Sequence, residues 1–208
     1  PSAAALFGTD MMGRDIFART IYGARVSLIV GIGVAAFASI IGLAIGLVAG
    51  FTRWADNIIM RIMDAMMSIP AILLAIALMT LLRGGSVFNV IFAITIAEIP
   101  RVARLARSAV LTVRELAYVE AGVACGSSKM GIIWRHILPN TLAPITVQAT
   151  YICASAMITE AILSFIGAGL PTSVPSWGNI MAEGRALWQV KPNICLLYTS
   201  PSPRDQAK

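Results

Sequence analysis

Residues 26–50 read VSLIVGIGVAAFASIIGLAIGLVAG, a stretch with no charged side chain, bracketed by Arg25 and Arg53. As a helix rising about 1.5 Å per residue it outreaches a hydrocarbon core of about 30 Å. Hydrocarbon offers no partner to backbone N–H and C=O groups, so a run of this kind is stable there only as a helix. Working outward, Asp64 and Arg83 enclose a second uncharged run, Ala65–Leu82. A third, Gly84–Ala97, is short and would have to take in Glu98 and Ile99 to cross. From Ile137 to Ala182 the only charge is Glu160. That segment has room for one span, Ala143–Phe165, and then a Pro- and Gly-rich loop, Gly167–Gly178. The pattern predicts an all-α, polytopic membrane helix bundle with about four spans.

Composition agrees. Of 208 residues, 58% are hydrophobic and 12% charged, against about 25% charged in a soluble domain. Mean hydropathy is +0.81. So few charges cannot cover a water-soluble surface, which excludes a soluble enzyme, a disordered chain and a coiled coil. The net charge of +6 is unevenly placed. Arg101–Leu142 carries Arg101, Arg104, Arg107, Arg114, Lys129 and Arg135 against Glu115 and Glu120, while the other connections are nearly neutral. Basic loops stay inside. Arg101–Leu142 and residues 51–64 are therefore expected on the cytoplasmic side, with the N-terminal stretch and the Gly167–Gly178 loop outside. The basic excess is a matter of topology, and nucleic acid is not an expected partner.

Catalytic and cofactor motifs do not emerge. Gly126-Ser127-Ser128-Lys129 lacks the glycine spacing of a phosphate loop, and Gly167-Ala168-Gly169 lacks the third glycine of a dinucleotide site. The one histidine, His136, cannot build a metal site alone, and reads as an interfacial or helix-terminal residue. Cys125, Cys153 and Cys195 lie far apart with no paired spacing. The chain is not expected to be an enzyme. Energy for any work would come from another chain or from a gradient.

Within the basic segment, Arg114–Cys125 reads as a short helix with Leu116, Val119 and Val123 on one face. Gly126 is a plausible C-terminal glycine. Ser127 or Ser128 can cap a second helix, Lys129–Leu138, before Pro139, Asn140 and Thr141 open the next span. Small residues (Ala117, Ala121, Gly122, Ala124) would let another backbone approach closely. Spacing alone leaves a docking surface and a connector lying on lipid headgroups equally open.

Glu120-Ala121-Gly122, then Gly126, then Leu138-Pro139 resembles the E-A-A loop of binding-protein-dependent ABC transporter permeases. Three other stretches resemble the C-type subunit of the peptide and nickel branch. They are Phe7-Gly8-Thr9-Asp10 through Gly13-Arg14-Asp15 with Tyr22-Gly23-Ala24-Arg25; Met60-Arg61 and Asp64 before Pro70; and Leu163-Ser164-Phe165-Ile166-Gly167 through Pro175-Ser176-Trp177-Gly178. Gly122 stands where the motif has its second alanine, a change that loosens a helix by up to about 1 kcal/mol.

The resemblance implies a type-1 importer transmembrane domain of the MetI-like fold, with six spans in the full protein and about four to five here. It implies a multi-pass protein of the bacterial inner membrane. Residues 1–25 would be an external segment and 26–188 the permease domain with its cytoplasmic coupling loop at 101–142. The family's first span would precede Pro1 and its last would follow Trp188. Residues 189–208, polar and rich in Ser and Pro, would be a non-native tail. The implied partners are a homologous permease, two ATPase subunits that bind the ATP, and an external solute-binding protein; no cofactor of its own is implied. Glu120, Ala121, Gly122, Gly126, Leu138 and Pro139 would face the ATPase, with Glu120 accepting a charge-assisted hydrogen bond from a basic residue or, alternatively, pairing internally with Arg114 or Arg135. Dipeptides, longer peptides, glutathione and nickel chelates all fit as solutes. The rival reading is an ion-coupled carrier or channel, which calls for several buried carboxylates; Glu160 and the borderline Glu98 are thin support for it.

A charged Glu160 at mid-membrane costs roughly 2.5–3.5 kcal/mol. It is expected either on the translocation path or, the preferred reading, in an interhelical hydrogen bond with a serine or backbone group. Gly42, Gly46 and Gly50 form a tandem G-x-x-x-G that predicts close helix packing. Met60, Met63, Met66 and Met67 read as bundle packing, and Arg61 and Asp64 as an i,i+3 ion pair.

Overall fold

The structure, a computed structural model, describes residues 9–10, 12–82 and 85–186. Gly84, where the third apolar run begins, and the 189–208 tail lie outside the described residues. Helix α1 spans Ile16–Phe51, starting well ahead of Val26 because Asp15 caps it, its carboxylate accepting from the Phe17 N–H at 3.0 Å. It is the axis of the bundle. Val30, Val34 and Ala38 on α1 are fully buried, together with Val90, Val102, Ile152 and Leu163 from helices later in the chain.

The second run, 65–82, is not one straight span. It divides between α2 (Arg53–Met67) and α3 (Ala71–Leu81), which meet at 89°. Pro70 lies in the break; it has no N–H to continue α2 and disfavours helical geometry in the residue before it. The third run is longer than expected. Ser86 caps α4, which runs Val87–Arg114 straight through Glu98, Pro100 and Arg101. The segment from Arg101, expected as part of a cytoplasmic loop, is therefore helical as far as Arg114. What extends the helix is charge pairing: Glu98 with Arg101 at 2.9 Å on the same face, and Arg104 and Arg107 with Asp64 and Asp56 of α2. Asp64 thus pairs across to Arg104 rather than with Arg61 one turn away, and of the four α2 methionines only Met63 is buried.

After α5 (Ala117–Ala124) and α6 (Lys129–Ile132) comes a π-helical turn, Ile133–Ile137, leading directly into α7 (Leu138–Phe165). The break expected at Pro139 is absent. The Leu138 N–H bonds the Ile133 carbonyl, five residues back, and this wider turn carries the helix past the proline's missing donor. Lys129–Phe165 is one run of 37 residues. Helix α8 (Trp177–Ala186) closes the described chain.

By length and apolarity, α1 and the Lys129–Phe165 run can each cross a membrane, and the bent α2–α3 pair makes a third candidate. Helix α4 has the length, at 28 residues, but carries Glu98, Arg101, Arg104, Arg107 and Arg114. Ion pairs sort the connections into two ends. At one, Arg19 bridges Asp10 at 2.7 Å and Glu183 of α8, and the Trp177 indole donates to the Thr20 carbonyl at 3.1 Å. At the other, α2 is tied to the lower half of α4, and Arg114 donates to the Gly50 carbonyl at 3.0 Å.

Candidate functional site

The corner formed by α5, α6 and the π turn is held from beneath by a small apolar cluster: Val110 and Val113 of α4, Val119, Ile132 and Ile137. Only Val119 of the expected α5 face is buried; Leu116 and Val123 are 42% and 59% exposed. Met130 and Trp134 are exposed as well, and line a cleft against Leu47 and Phe51 of α1.

Gly126 sets the turn. Its φ of +81° is a left-handed conformation that other residues rarely adopt. It lets the Gly126 N–H bond the Val123 carbonyl at 2.9 Å and the Ser127 N–H bond the Gly122 carbonyl at 3.1 Å, the Schellman arrangement. Ser128 then caps α6 through the Gly131 N–H at 3.2 Å. Glu120 and Ala121 are exposed beside this turn. Among the described residues the Glu120 carboxylate has no ion pair or hydrogen bond, and Arg114 is turned toward Gly50 instead. Gly122 faces His136, where a methyl would sit 3.7 Å from Nε2, an ordinary contact. His136 also lies against the Tyr118 ring, centroids 5.9 Å apart. Leu138 is half-buried against α1 in a cleft with Leu47, Phe51 and Trp134, while Pro139 is exposed.

The three glycines of the tandem motif all face α4. A methyl at Gly42 would lie 2.5 Å from Val102 Cβ, one at Gly50 2.7 Å from Val110 Cγ1, and one at Gly46 would overlap Ala106. The small-residue stripe continues upward beyond what the motif marks. Gly31 lies against Cys153 and Met157 of α7, and Gly23 against Trp177 of α8.

Glu160 is fully buried, and so is its surrounding network. Ser27 of α1 donates to one carboxylate oxygen at 3.1 Å, Ser164 to the other at 2.8 Å, and Ser164 Oγ accepts the Leu170 N–H at 3.2 Å. The loop after α7 is thereby tied to the span beneath it. Asn179, also buried, adds to the tie by sharing its amide among the carbonyls of Leu170, Pro171 and Val174. Sequence reading missed Asn179 and the cross-helix pairs Asp56–Arg107 and Asp64–Arg104. A polar residue just inside a helix after a Pro-rich loop was the available signal for the first; nothing local marks the others. Among the described residues no cluster of His, Cys, Asp and Glu could hold a metal ion.

A family model described as "Binding-protein-dependent transport system inner membrane component" matches residues 41–190. The chain is 53% identical over 205 residues to a probable peptide ABC transporter permease protein, y4tQ, of Sinorhizobium fredii, covering 96% of this chain and 70% of the relative. It is 46% identical over 193 residues to the dipeptide transport system permease protein DppC of Alkalihalophilus pseudofirmus, covering 92% of this chain and 63% of the relative. The chain thus spans about two thirds of the length of the curated relatives it matches. Among solved structures it is similar to the inward-facing methionine ABC transporter MetNI, with a TM-score of 0.72, 22% identity and 88% of each chain covered. That likeness is one of fold.

Proposed function

The chain belongs to the family of binding-protein-dependent transport system inner membrane components, and on that premise we propose that it is the permease subunit of an ATP-driven importer of peptides or related small solutes. It is a multi-pass protein of the inner membrane. Residues 26–188 are its permease domain. It works with a homologous permease, two ATPase subunits that bind and hydrolyse the ATP, and an external solute-binding protein. It needs no cofactor of its own.

The observation that carries this reading is the α5–α6 corner, where Glu120 is exposed with no ion pair or hydrogen bond among the described residues, and Leu116, Val123, Met130 and Trp134 are all exposed apolar side chains. A soluble subunit that presents a basic residue and an apolar groove fits both features. Ala121 and Gly122 keep the approach close, Gly126 holds the turn, and Leu138 and Pro139 begin the span that the contact moves. Glu120 then gains a charge-assisted hydrogen bond, worth about 1.5–3 kcal/mol. The ion-coupled alternative is less favoured, because Glu98 is already paired with Arg101 and Glu160 is enclosed by two serine hydroxyls. The relatives above are named as peptide and dipeptide permeases, which favours those solutes over nickel chelates. In the full transporter, Glu120→Ala lowers both ATPase recruitment and solute uptake. Normal values for both overturn the coupling role.

A further inference from the structure

Three arginines descend one side of α4, and they are not used alike. Arg107 commits both sides of its fork to Asp56, with Nε on one carboxylate oxygen and Nη2 on the other at 2.6 Å. Arg101 commits only Nη1, to Glu98, and Arg104 only Nη2, to Asp64. A guanidinium has five N–H donors in a plane, so both upper forks keep donors to spare. The two side chains are 43% and 50% exposed, and they open onto a cleft of about 360 Å³ lined also by Met67, Leu105, Ser108 and Gln148. Among the described residues the Gln148 amide has no hydrogen-bond partner. Unspent donors from two helices therefore converge on one opening, beside two apolar side chains.

We propose that this cleft holds the carboxylate of a solute on its passage through the permease. It rests on the peptide-importer reading above and adds to it a binding step inside the permease itself. The chemistry is donor-only: a planar carboxylate matches a guanidinium fork two oxygens to two N–H groups, with the Gln148 amide and Ser108 hydroxyl beside it. Arg101 lies fourteen residues along α4 from its start at Val87, about 21 Å along the axis. A lipid headgroup is the other source of an anion for such donors, and the test below separates the two. Asp64 is 61% exposed, so its hold on Arg104 is weak and an incoming carboxylate can share that fork. Glu98, at 4% exposure, stays behind Arg101 and keeps it aimed.

The test uses the complete transporter in nanodiscs, without binding protein, and measures binding of radiolabelled dialanine and of its C-terminal amide. Wild type binds the acid at least about tenfold more tightly than the amide, the yield of one bidentate charge-assisted contact. Arg101→Gln and Arg104→Gln each remove that preference, and Arg101→Lys restores part of it. Gln148→Leu, which leaves every ion pair in place, weakens the acid and leaves the amide unchanged. Equal binding of acid and amide, equal binding in wild type and Arg101→Gln, or no binding of dialanine at all overturns the proposal. So does an acid preference that vanishes when phosphatidylglycerol replaces phosphatidylcholine in the disc, which would make the cleft a lipid site. ATP-driven uptake with binding protein is measured in parallel. Its absence in wild type strikes the importer reading, while its presence without an acid preference strikes only the carboxylate site.

Discussion

Ser27 of α1 and Glu160 of α7 meet in a 3.1 Å hydrogen bond although 133 positions separate them, and neither is more than 1% exposed. With Ser164 on its other oxygen, Glu160 is the only charged side chain among the described residues that is fully enclosed. Its loss is therefore felt through the hydroxyls it leaves behind. Glu160→Ala strands two buried donors at about 1–3 kcal/mol each, whereas Glu160→Gln keeps the shape and an acceptor and costs less than about 1.5 kcal/mol. Thermal melting of the purified protein in detergent separates the two. An alanine variant that melts with wild type refutes the role.

The α1–α4 seam has no room. Gly46→Leu forces a side chain against Ala106 and overpacks the bundle by about 1–3 kcal/mol or more, seen as a lower melting temperature and poor recovery of folded protein. Gly122→Ala is its opposite. The added methyl meets His136 at an ordinary 3.7 Å and stabilises α5 by about 0.4–1 kcal/mol, with solute uptake retained.

The two α2–α4 ion pairs differ in worth. Asp56–Arg107 is two-pronged, with side chains 18% and 32% exposed; Asp64–Arg104 is single and half in solvent. A double-mutant cycle of Asp56→Asn with Arg107→Gln yields the larger coupling energy, above about 1 kcal/mol, while the same cycle at Asp64 and Arg104 yields about 0–1 kcal/mol. Reversed magnitudes would show that exposure does not rank these pairs.

Asp10 ties the N-terminal segment to α1. Burial pushes its carboxyl up, but the Arg14 N–H, the Arg14 guanidinium and the Met12 N–H outweigh that and hold it below the ordinary value of 3.8. A carboxyl depressed on folding stabilises the protein above its unfolded pKa, and that contribution fades as pH falls through the lower, folded value. Between about pH 5 and pH 3 wild type therefore loses more stability than Asp10→Asn, as read by melting temperature against pH. Parallel curves would deny the clamp.

What could be read from the sequence was what local chemistry encodes. An uncharged run can only be a helix in lipid, so α1 and α7 were legible, as were the glycine at the α5 turn and the serine cap of α6. The bend at Ser68–Pro70 was signalled by Pro70 yet hidden by the apolar run around it. The length of α4 was misjudged for a different reason. Its arginines read as loop charge until Asp56 and Asp64, far away in sequence, are seen to neutralise them. Likewise the π turn at Ile133–Ile137 has no one-dimensional mark beyond the proline it accommodates. At the candidate site, Glu120 and Gly126 were visible because a motif names them. The Arg101–Arg104–Gln148 cleft was not, because it exists only where three helices converge.

The uninterrupted Lys129–Phe165 helix has arms of unequal length. Four residues of α6 precede the π turn and twenty-eight of α7 follow it, about 6 Å against 42 Å. At its far end Glu160 and Ser164 fasten the rod to α1 and to the loop that follows. The α5–α6 corner and that loop are thereby joined through one continuous helix, and neither can be displaced along its axis without straining the other.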